Sequence, residues 1–426
     1  MKTTILLDHE PVAAGRVVRL LLRLEADAPP RTDRLPLNLS RVLDRSGSMH
    51  GGKLTAAREA AALLVRRLAP EDVVSVVAYD DQVETVAEPA TGAAQAELPR
   101  QIERIETGGS TNLSGGWLRG RELVARNLLE RGVNRVILLT DGQANVGIVD
   151  PQRLTGLAAQ AGRERMTTTT IGFGADYNER LLRAMADAGG GNTYYIEHTD
   201  QAASIFADEL QGLLDLGAQN VTVEVRPAAA ARLVAVHHDY PSSNDGSVLR
   251  VELGDLYARE PKPLLAEFLV ASDVALPAAV AELVVAGDVL LEDDRVERQT
   301  ITLPVTLSHE AAHIEPEVRR ELLLLETARA RREALERRER GDFDGAADVL
   351  NVARTKLRDA GLNDAELMEE QHDLMQMEQA FSGATFMEAD AKYMYHRAYN
   401  ASTGRRKKDE LIRRMKQKRN EKPPEA

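Results

Sequence analysis

From Leu35 onward the chain alternates short apolar runs with longer stretches of helical spacing, and polar or glycine-containing loops separate the two. Leu35 to Leu43, Val73 to Tyr79 with a continuation near Val83 to Val86, Val133 to Thr140, Met166 to Phe173 and Thr193 to Ile196 read as strands. Leu54 to Leu68, Gln95 to Ile105, a segment after Asn112 through Leu129, one from Pro151, Asn178 to Ala188 and one ending near Leu214 read as helices. Strands alternating with helices of this length pair in parallel through crossover helices, which predicts a doubly wound, Rossmann-like α/β domain over residues 33–215. Ligands of such sheets gather outside the carboxyl ends of the strands.

The flanking segments follow other rules. Ala14 to Ala26 alternates apolar and charged residues and stops before Pro29-Pro30, which predicts a strand with one exposed face whose partner lies far downstream. Between residues 216 and 307 the helical period lapses. Asn220 to Arg226, Leu233 to His237, Ser247 to Leu253, Leu264 to Val270, Ala279 to Ala286 and Glu297 to Leu303 read as short strands, with turn chemistry such as Asn244-Asp245-Gly246 between them. An antiparallel β-sandwich follows. Val17 to Leu24 supplies its first strand from residues 1–32, so the α/β domain is inserted in it. From Pro316 the chain turns helical: Leu322, Leu325, Ala328 and Leu335 form a stripe, and Gly341 to Gly345 turns into a second helix over Ala346 to Ala360. This hairpin resembles one tetratricopeptide-type unit without a second copy. Residues 308–404 form a C-terminal α-helical region, with a further helix from Asn363, and 405–426 form a basic tail predicted to be disordered.

Composition narrows the classes. A chain of 426 residues exceeds one hydrophobic core and suggests two to four domains. The net charge of -13 argues against a general nucleic-acid binder, and zero cysteine excludes disulfides and thiolate chemistry. No basic-then-apolar leader and no run of membrane-span length is present in the chain as given, which reads as cytoplasmic.

The candidate chemistry sits at the strand ends. Asp44-Arg45-Ser46-Gly47-Ser48 places a carboxylate and two hydroxyls on alternate residues after the first strand of the α/β domain, a set of oxygens suited to a small hard cation. A D-x-S-x-S string alone arises by chance in roughly one in ten chains of this length. Its company matters more. Thr111, in the loop Gly108-Gly109-Ser110-Thr111-Asn112, and Asp141, in Thr140-Asp141-Gly142-Gln143, fall at the same edge of the sheet. Together the three segments resemble the von Willebrand factor type A domain and its metal-ion-dependent adhesion site. The likeness extends over Leu35 to Leu214, with Ile171 to Gly174 and Ala188 to Gly191 similar to the family's later strands and loops.

That resemblance implies Mg2+, with Mn2+ or Ca2+ as possible substitutes, held directly by Ser46, Ser48 and Thr111, while Asp44 and Asp141 act mainly through waters. Neutral hydroxyls leave the ion's charge poorly compensated, so an open coordination position favours a carboxylate from a protein partner's Asp or Glu. Asp44 also fixes the loop by accepting hydrogen bonds. Arg45 and Met49, with Gln143 and Asn145 opposite, would form the ligand rim, and Asp80 and Asp81 read as solvated. Arg41 departs from the family's apolar first strand and implies a buried partner or an irregular strand.

Other motifs compete. His309-Glu310-Ala311-Ala312-His313 matches the H-E-x-x-H zinc-hydrolase pattern, but Pro316 falls where the required helix should continue. Arg340-Gly341-Asp342 reads as a hairpin turn, Ser46 lacks a histidine placed to activate it, and His237 and His238 read as edge-strand residues. The aromatic and basic C-terminal segment, with Phe386, Tyr393, Tyr395 and Tyr399, reads as a solvated tail ahead of a nucleic-acid contact. The expectation is a non-enzymatic, Mg2+-dependent protein-binding scaffold.

Overall fold

A computed structural model describes residues 1–12, 15–26, 35–174, 176–258, 260–290, 296–308, 312–383 and 385–405. In chain order it contains β1 (Lys2–Val12), β2 (Gly15–Glu25), β3 (Leu37–Asp44), α1 (Gly52–Val65), β4 (Val73–Tyr79), β5 (Val83–Ala90), α2 (Leu98–Glu103) and α3 (Leu113–Arg126). These are followed by β6 (Val133–Thr140), α4 (Pro151–Arg163), β7 (Thr167–Phe173), α5 (Glu179–Ala188), β8 (Gly190–Ile196) and α6 (Ala202–Leu214). Next come β9 (Leu216–Pro227), β10 (Ala231–Val236), β11 (Ser242–Asn244), β12 (Leu249–Tyr257), β13 (Lys262–Ala271), β14 (Ala278–Leu290) and β15 (Val296–Leu307). Four helices close the chain: α7 (Pro316–Glu339), α8 (Phe343–Asp359), α9 (Ala365–Ser382) and α10 (Glu388–Ser402).

The chain divides into two compact units. One comprises Met1–Asp27, Val221–Gly287 and Arg298–Ala426; the other comprises Ala28–Asn220 and Asp288–Glu297. The second is thus encoded inside the first.

The inner unit holds a six-stranded sheet in the order β5-β4-β3-β6-β7-β8. Neighbours from β4 to β8 run parallel, and β5 is an antiparallel edge strand rather than a continuation of β4. Every residue of β3 and β6 is buried, as central parallel strands covered on both faces require. α3 lies close against the sheet because Cβ atoms at its Gly116 and Gly120 would stand 2.5 Å from Tyr79 Cδ1 and 2.4 Å from Val42 Cγ2. Trp117 between them is fully buried and donates from Nε1 to Thr168 Oγ1 at 3.2 Å. Arg41 resolves in an unforeseen way. β3 pairs without a register break, and the buried guanidinium donates to the carbonyl of Ala61 on α1, not to a carboxylate.

Two further sheets are present: β1-β2-β13-β10, antiparallel throughout, and β11-β12-β9-β14-β15, in which β11 and β12 are antiparallel. β2 does pair far downstream, with β13 from Gly15↔Ala271 to Leu24↔Lys262, but it is a central strand and not a half-exposed one. Its other edge takes β1, which the sequence reading left without an element. α7 lays Val318 and Leu325 on Leu21 and Leu265. α7 to α10 share a second core with Leu350, Leu374, Phe381 and Met394. Of the aromatic segment, Tyr393 belongs to that core with Phe386 packed against it, and Tyr399 on the same helix is also buried, so these two tyrosines form no stacking platform for bases. Residues 406–426, most of the basic tail, lie outside the described residues.

The remaining motifs find structural roles. His237 and His238 follow β10 and are buried, with Leu265 N donating to His238 Nδ1 at 3.1 Å and Glu321 Oε1 lying 3.3 Å from His238 Nε2. β10 is the edge strand of its sheet, as expected, but both side chains are buried rather than exposed. Arg340-Gly341-Asp342 joins α7 to α8, with Gly341 at φ +79° and Asp342 Oδ1 capping α8 through Gly345 N at 2.9 Å. Among the described residues no helix is long and apolar enough to cross a membrane.

Candidate functional site

Register assembles the site before any side chain is considered. β3 aligns with β4 so that Asp44 faces Tyr79, and with β6 so that Leu43 faces Leu139. The residues that leave these strands, Arg45, Asp80 and Asp141, therefore emerge along one carboxyl edge. Backbone bonds then tie the loops together: Arg45 N to Tyr79 O at 2.8 Å, Gly47 N to Gly109 O at 2.9 Å, and Gly108 N to Arg45 O at 2.7 Å.

Within this frame the five residues singled out from sequence come together. Asp44 is fully buried; its Oδ1 accepts from Ser46 N at 2.8 Å and its Oδ2 from Thr140 Oγ1 at 2.5 Å. Both oxygens thus hold protein groups, so Asp44 shapes the loop. Burial pushes its carboxyl up from the ordinary value, opposed by the hydrogen bonds from Ser46 and Thr140 and assisted by the nearby charge of Asp141. Ser46 Oγ and Ser48 Oγ lie 3.2 Å apart, and Ser48 Oγ donates to Asp141 Oδ1 at 2.7 Å. Thr111 joins them through Gly142. A Cβ at that glycine would stand 3.2 Å from Thr111 Oγ1 and 3.7 Å from Ser48 Oγ.

The surrounding residues hold this cluster. Asp80 was expected to be solvated, yet it is buried. Its carboxylate accepts from Gln82 N at 2.8 Å and Gly109 N at 3.2 Å, and its carbonyl accepts from Asn112 N at 2.7 Å, so it fastens the Thr111 loop to the end of β4. Asn145 Oδ1 accepts from Thr111 N at 2.8 Å. Of the expected rim residues, Gln143 and Asn145 are exposed. Arg45 is half-buried and pairs with Glu84 at 2.6 Å and Asp80 at 3.5 Å. Met49 is fully buried, which removes it from any rim a partner touches: its apolar side chain belongs to the core beneath the loop. Sequence reading also missed Lys53, whose Nζ meets Asp141 Oδ2 at 2.5 Å. Its signal was its place one helical turn after Ser48-Met49.

The donor set is all oxygen, with three hydroxyls and the buried Asp141 carboxylate converging on one edge, and it suits a small hard cation. Among the described residues no group of three or more His, Cys, Asp and Glu side chains is placed to hold a metal. The hydroxyl-rich cluster is therefore the candidate site among the described residues. His313 pairs with His9 in an isolated antiparallel bridge, with N to O distances of 2.9 and 3.0 Å, and the helix starts only at Pro316. The H-E-x-x-H pattern lacks its helix at the second histidine; His309 and Glu310 lie outside the described residues.

Comparison with known proteins identifies the family of the fold. The sequence profile of the von Willebrand factor type A domain matches residues 38–208. Over 372 residues the chain is 31% identical to the uncharacterized protein sll0103 of Synechocystis sp., covering 82% of this chain and 86% of that one. The chain belongs to the von Willebrand factor type A (VWA) family. Inter-alpha-trypsin inhibitor heavy chain H1 of Sus scrofa is 30% identical over 236 residues, which is 53% of this VWA protein but 26% of the heavy chain. A likeness in fold also extends beyond the inner unit. The structure titled von Willebrand factor type A from Catenulispora acidiphila superposes with a TM-score of 0.69 at 19% identity, covering 89% of both chains. VWA domains are generally protein-interaction modules.

Proposed function

We propose that this VWA protein is a non-enzymatic scaffold that captures an Asp or Glu side chain of a protein partner at a Mg2+-dependent site. Ser46, Ser48 and Thr111 would hold the cation directly, with Asp44 and Asp141 acting mainly through waters; Mn2+ or Ca2+ could take the same place. What carries the reading is the run of hydrogen-bond contacts from Ser46 to Ser48 to Asp141, with Thr111 and Ser48 both against Gly142. When bound, the cation supplies an open coordination position for a carboxylate oxygen.

The chain's own groups prepare that position. Asp44 locks the Ser46 loop through Ser46 N and Thr140 Oγ1, so the hydroxyls are aimed before any ligand arrives. Asp80 and Asn145 hold the Thr111 loop from both sides. Gln143 and Asn145 offer polar groups at the exposed margin, and Arg45 adds a guanidinium neutralised by Asp80 and Glu84. In this reading residues 33–215 form the binding domain, and 1–32 with 216–307 form a β-sandwich that presents it. The helical residues 308–404 add a second set of contacts.

Titration calorimetry with Mg2+ and Mn2+ tests the site. The wild type is expected to bind one ion, and Asp44→Ala to lose binding by at least about tenfold, the usual effect of removing an outer-shell carboxylate. Capture of partners from the source cell should be lost both in chelator and in Asp44→Ala. Metal content and capture that both survive the substitution would refute the scaffold mechanism.

A further inference from the structure

Lys53 occupies a position that helix electrostatics disfavour. It is in the first turn of α1, where the unsatisfied N–H groups carry partial positive charge, and that turn holds no acidic side chain. A residue set against its local field marks a constraint from elsewhere. Here the constraint is Asp141. The Asp141 carboxylate is fully buried and divides its two oxygens: Oδ1 faces Ser48 Oγ at 2.7 Å and Oδ2 faces Lys53 Nζ at 2.5 Å. The turn at Gly174 bounds the lysine on its far side, since a Cβ there would stand 3.4 Å from Nζ. The ammonium is thus held on the oxygen that points away from the hydroxyl cluster, and it leaves the other oxygen to that cluster.

Charge follows from this geometry. Asp44 and Asp141 bring two negative charges to the site, and Lys53 returns one positive charge to it. A divalent cation placed among the hydroxyls would bring the group to a net positive charge with Lys53 and to neutrality without it. Resting on the reading of this cluster as a cation site, we propose that Lys53 is the positioning residue that sets how strongly the bound cation attracts a carboxylate. It weakens retention of the cation and strengthens capture of the acid, so the two affinities are traded against each other.

Opposed signs make the proposal testable. Mn2+ binding is measured by calorimetry on the full chain, and carboxylate binding by titrating acetate into Mn2+-loaded protein while following water-proton relaxation. The variants are Lys53→Met, Lys53→Gln as a polar check on folding, and Lys53→Arg as the charge-preserving control. Expected for Met and Gln alike are tighter Mn2+ binding by about tenfold and weaker acetate binding by several-fold, with Arg close to wild type; the sizes follow the usual range for groups behind a metal ligand. A merely structural role would weaken both affinities together. That result, or unchanged affinities, overturns the assignment of Lys53. Wild-type protein that takes up no Mn2+ overturns the cation site itself, and the lysine's role with it.

Discussion

Arg41 and Arg135 lie on adjacent strands of the same sheet, both fully buried, and they are treated very differently. Arg135 donates to Glu209 Oε1 at 2.9 Å and Thr167 Oγ1 at 2.8 Å, and Glu209 also accepts from Thr169, Asn192 and Tyr194. Arg41 meets the Ala61 carbonyl, while its Nε and Nη2 have no hydrogen-bond partner. Burial pushes its guanidinium down to about 9, so it remains charged at neutral pH and uncompensated. Arg41→Met keeps the length of the side chain and removes the charge; it should stabilise the protein by at least about 1 kcal/mol in urea or thermal unfolding. A destabilised variant would show that the Ala61 contact outweighs desolvation. The sign with pH follows from the lowered value. From about 9 up to the ordinary arginine value the folded chain binds fewer protons than the unfolded one, so Arg41 becomes less unfavourable as pH rises, and the advantage of methionine should shrink there. The charge in the apolar run was legible in the sequence. Its carbonyl partner was not, because helix-to-strand packing decides which backbone oxygen meets the guanidinium.

At the scale of elements, the site is a set of loops held at fixed offsets, and Asp80 is the fastening with the most connections. It joins the end of β4 to Gly109 and Asn112 and faces Arg45 on the β3 loop. Asp80→Ala should lower divalent-cation affinity by about tenfold while the far-UV spectrum stays unchanged, and Asp80→Asn should recover part of it. Unaltered affinity in the alanine variant would mean that Asn145 alone holds Thr111 in place. That Asp44, Ser46, Ser48, Thr111 and Asp141 gather at one edge was legible in the sequence, because strand order sends them there. It misread Asp80, since a carboxylate after a strand looks the same whether water or a neighbouring loop satisfies it. Met49 misled for a related reason: a residue next to a polar loop can still turn inward. β5 was read as more of β4 because only the turn at Asp80 to Gln82, closed by Asp80 N to Gln82 O at 2.9 Å, reverses the chain between two similar apolar runs.

At the scale of the whole molecule, one compact unit interrupts another. The inner one has its own sheet and its own core around Trp117, Leu138 and Met185. Residues 35–220 expressed alone should therefore unfold cooperatively, as followed by urea denaturation, whereas deletion of residues 1–26 should leave the remaining outer strands unable to close their sheet. A fragment without a cooperative transition would show that the inner unit depends on its host. The discontinuity was foreshadowed by the alternating leucines before Pro29-Pro30. β1 was not, because its Lys-Thr-Thr start, central charges and Pro11 suit an exposed edge and give little alternation to read.

The place of β2 between β1 and β13 also has a meaning in time. β1 is synthesised before it, but β13 begins at Lys262, and everything after Glu25 must be made first. At 5–20 residues per second that is roughly 12 to 50 s, long enough for the inner unit to fold. Throughout that interval a strand with Leu20, Leu21 and Leu22 at its centre offers one open edge to any passing chain. Arg16, Arg19 and Arg23 are spaced along it. In the finished sheet Arg19 pairs with Glu10 and Glu267, and Arg23 with Glu317; charges spaced along an open edge are the usual guard against pairing with a wrong neighbour.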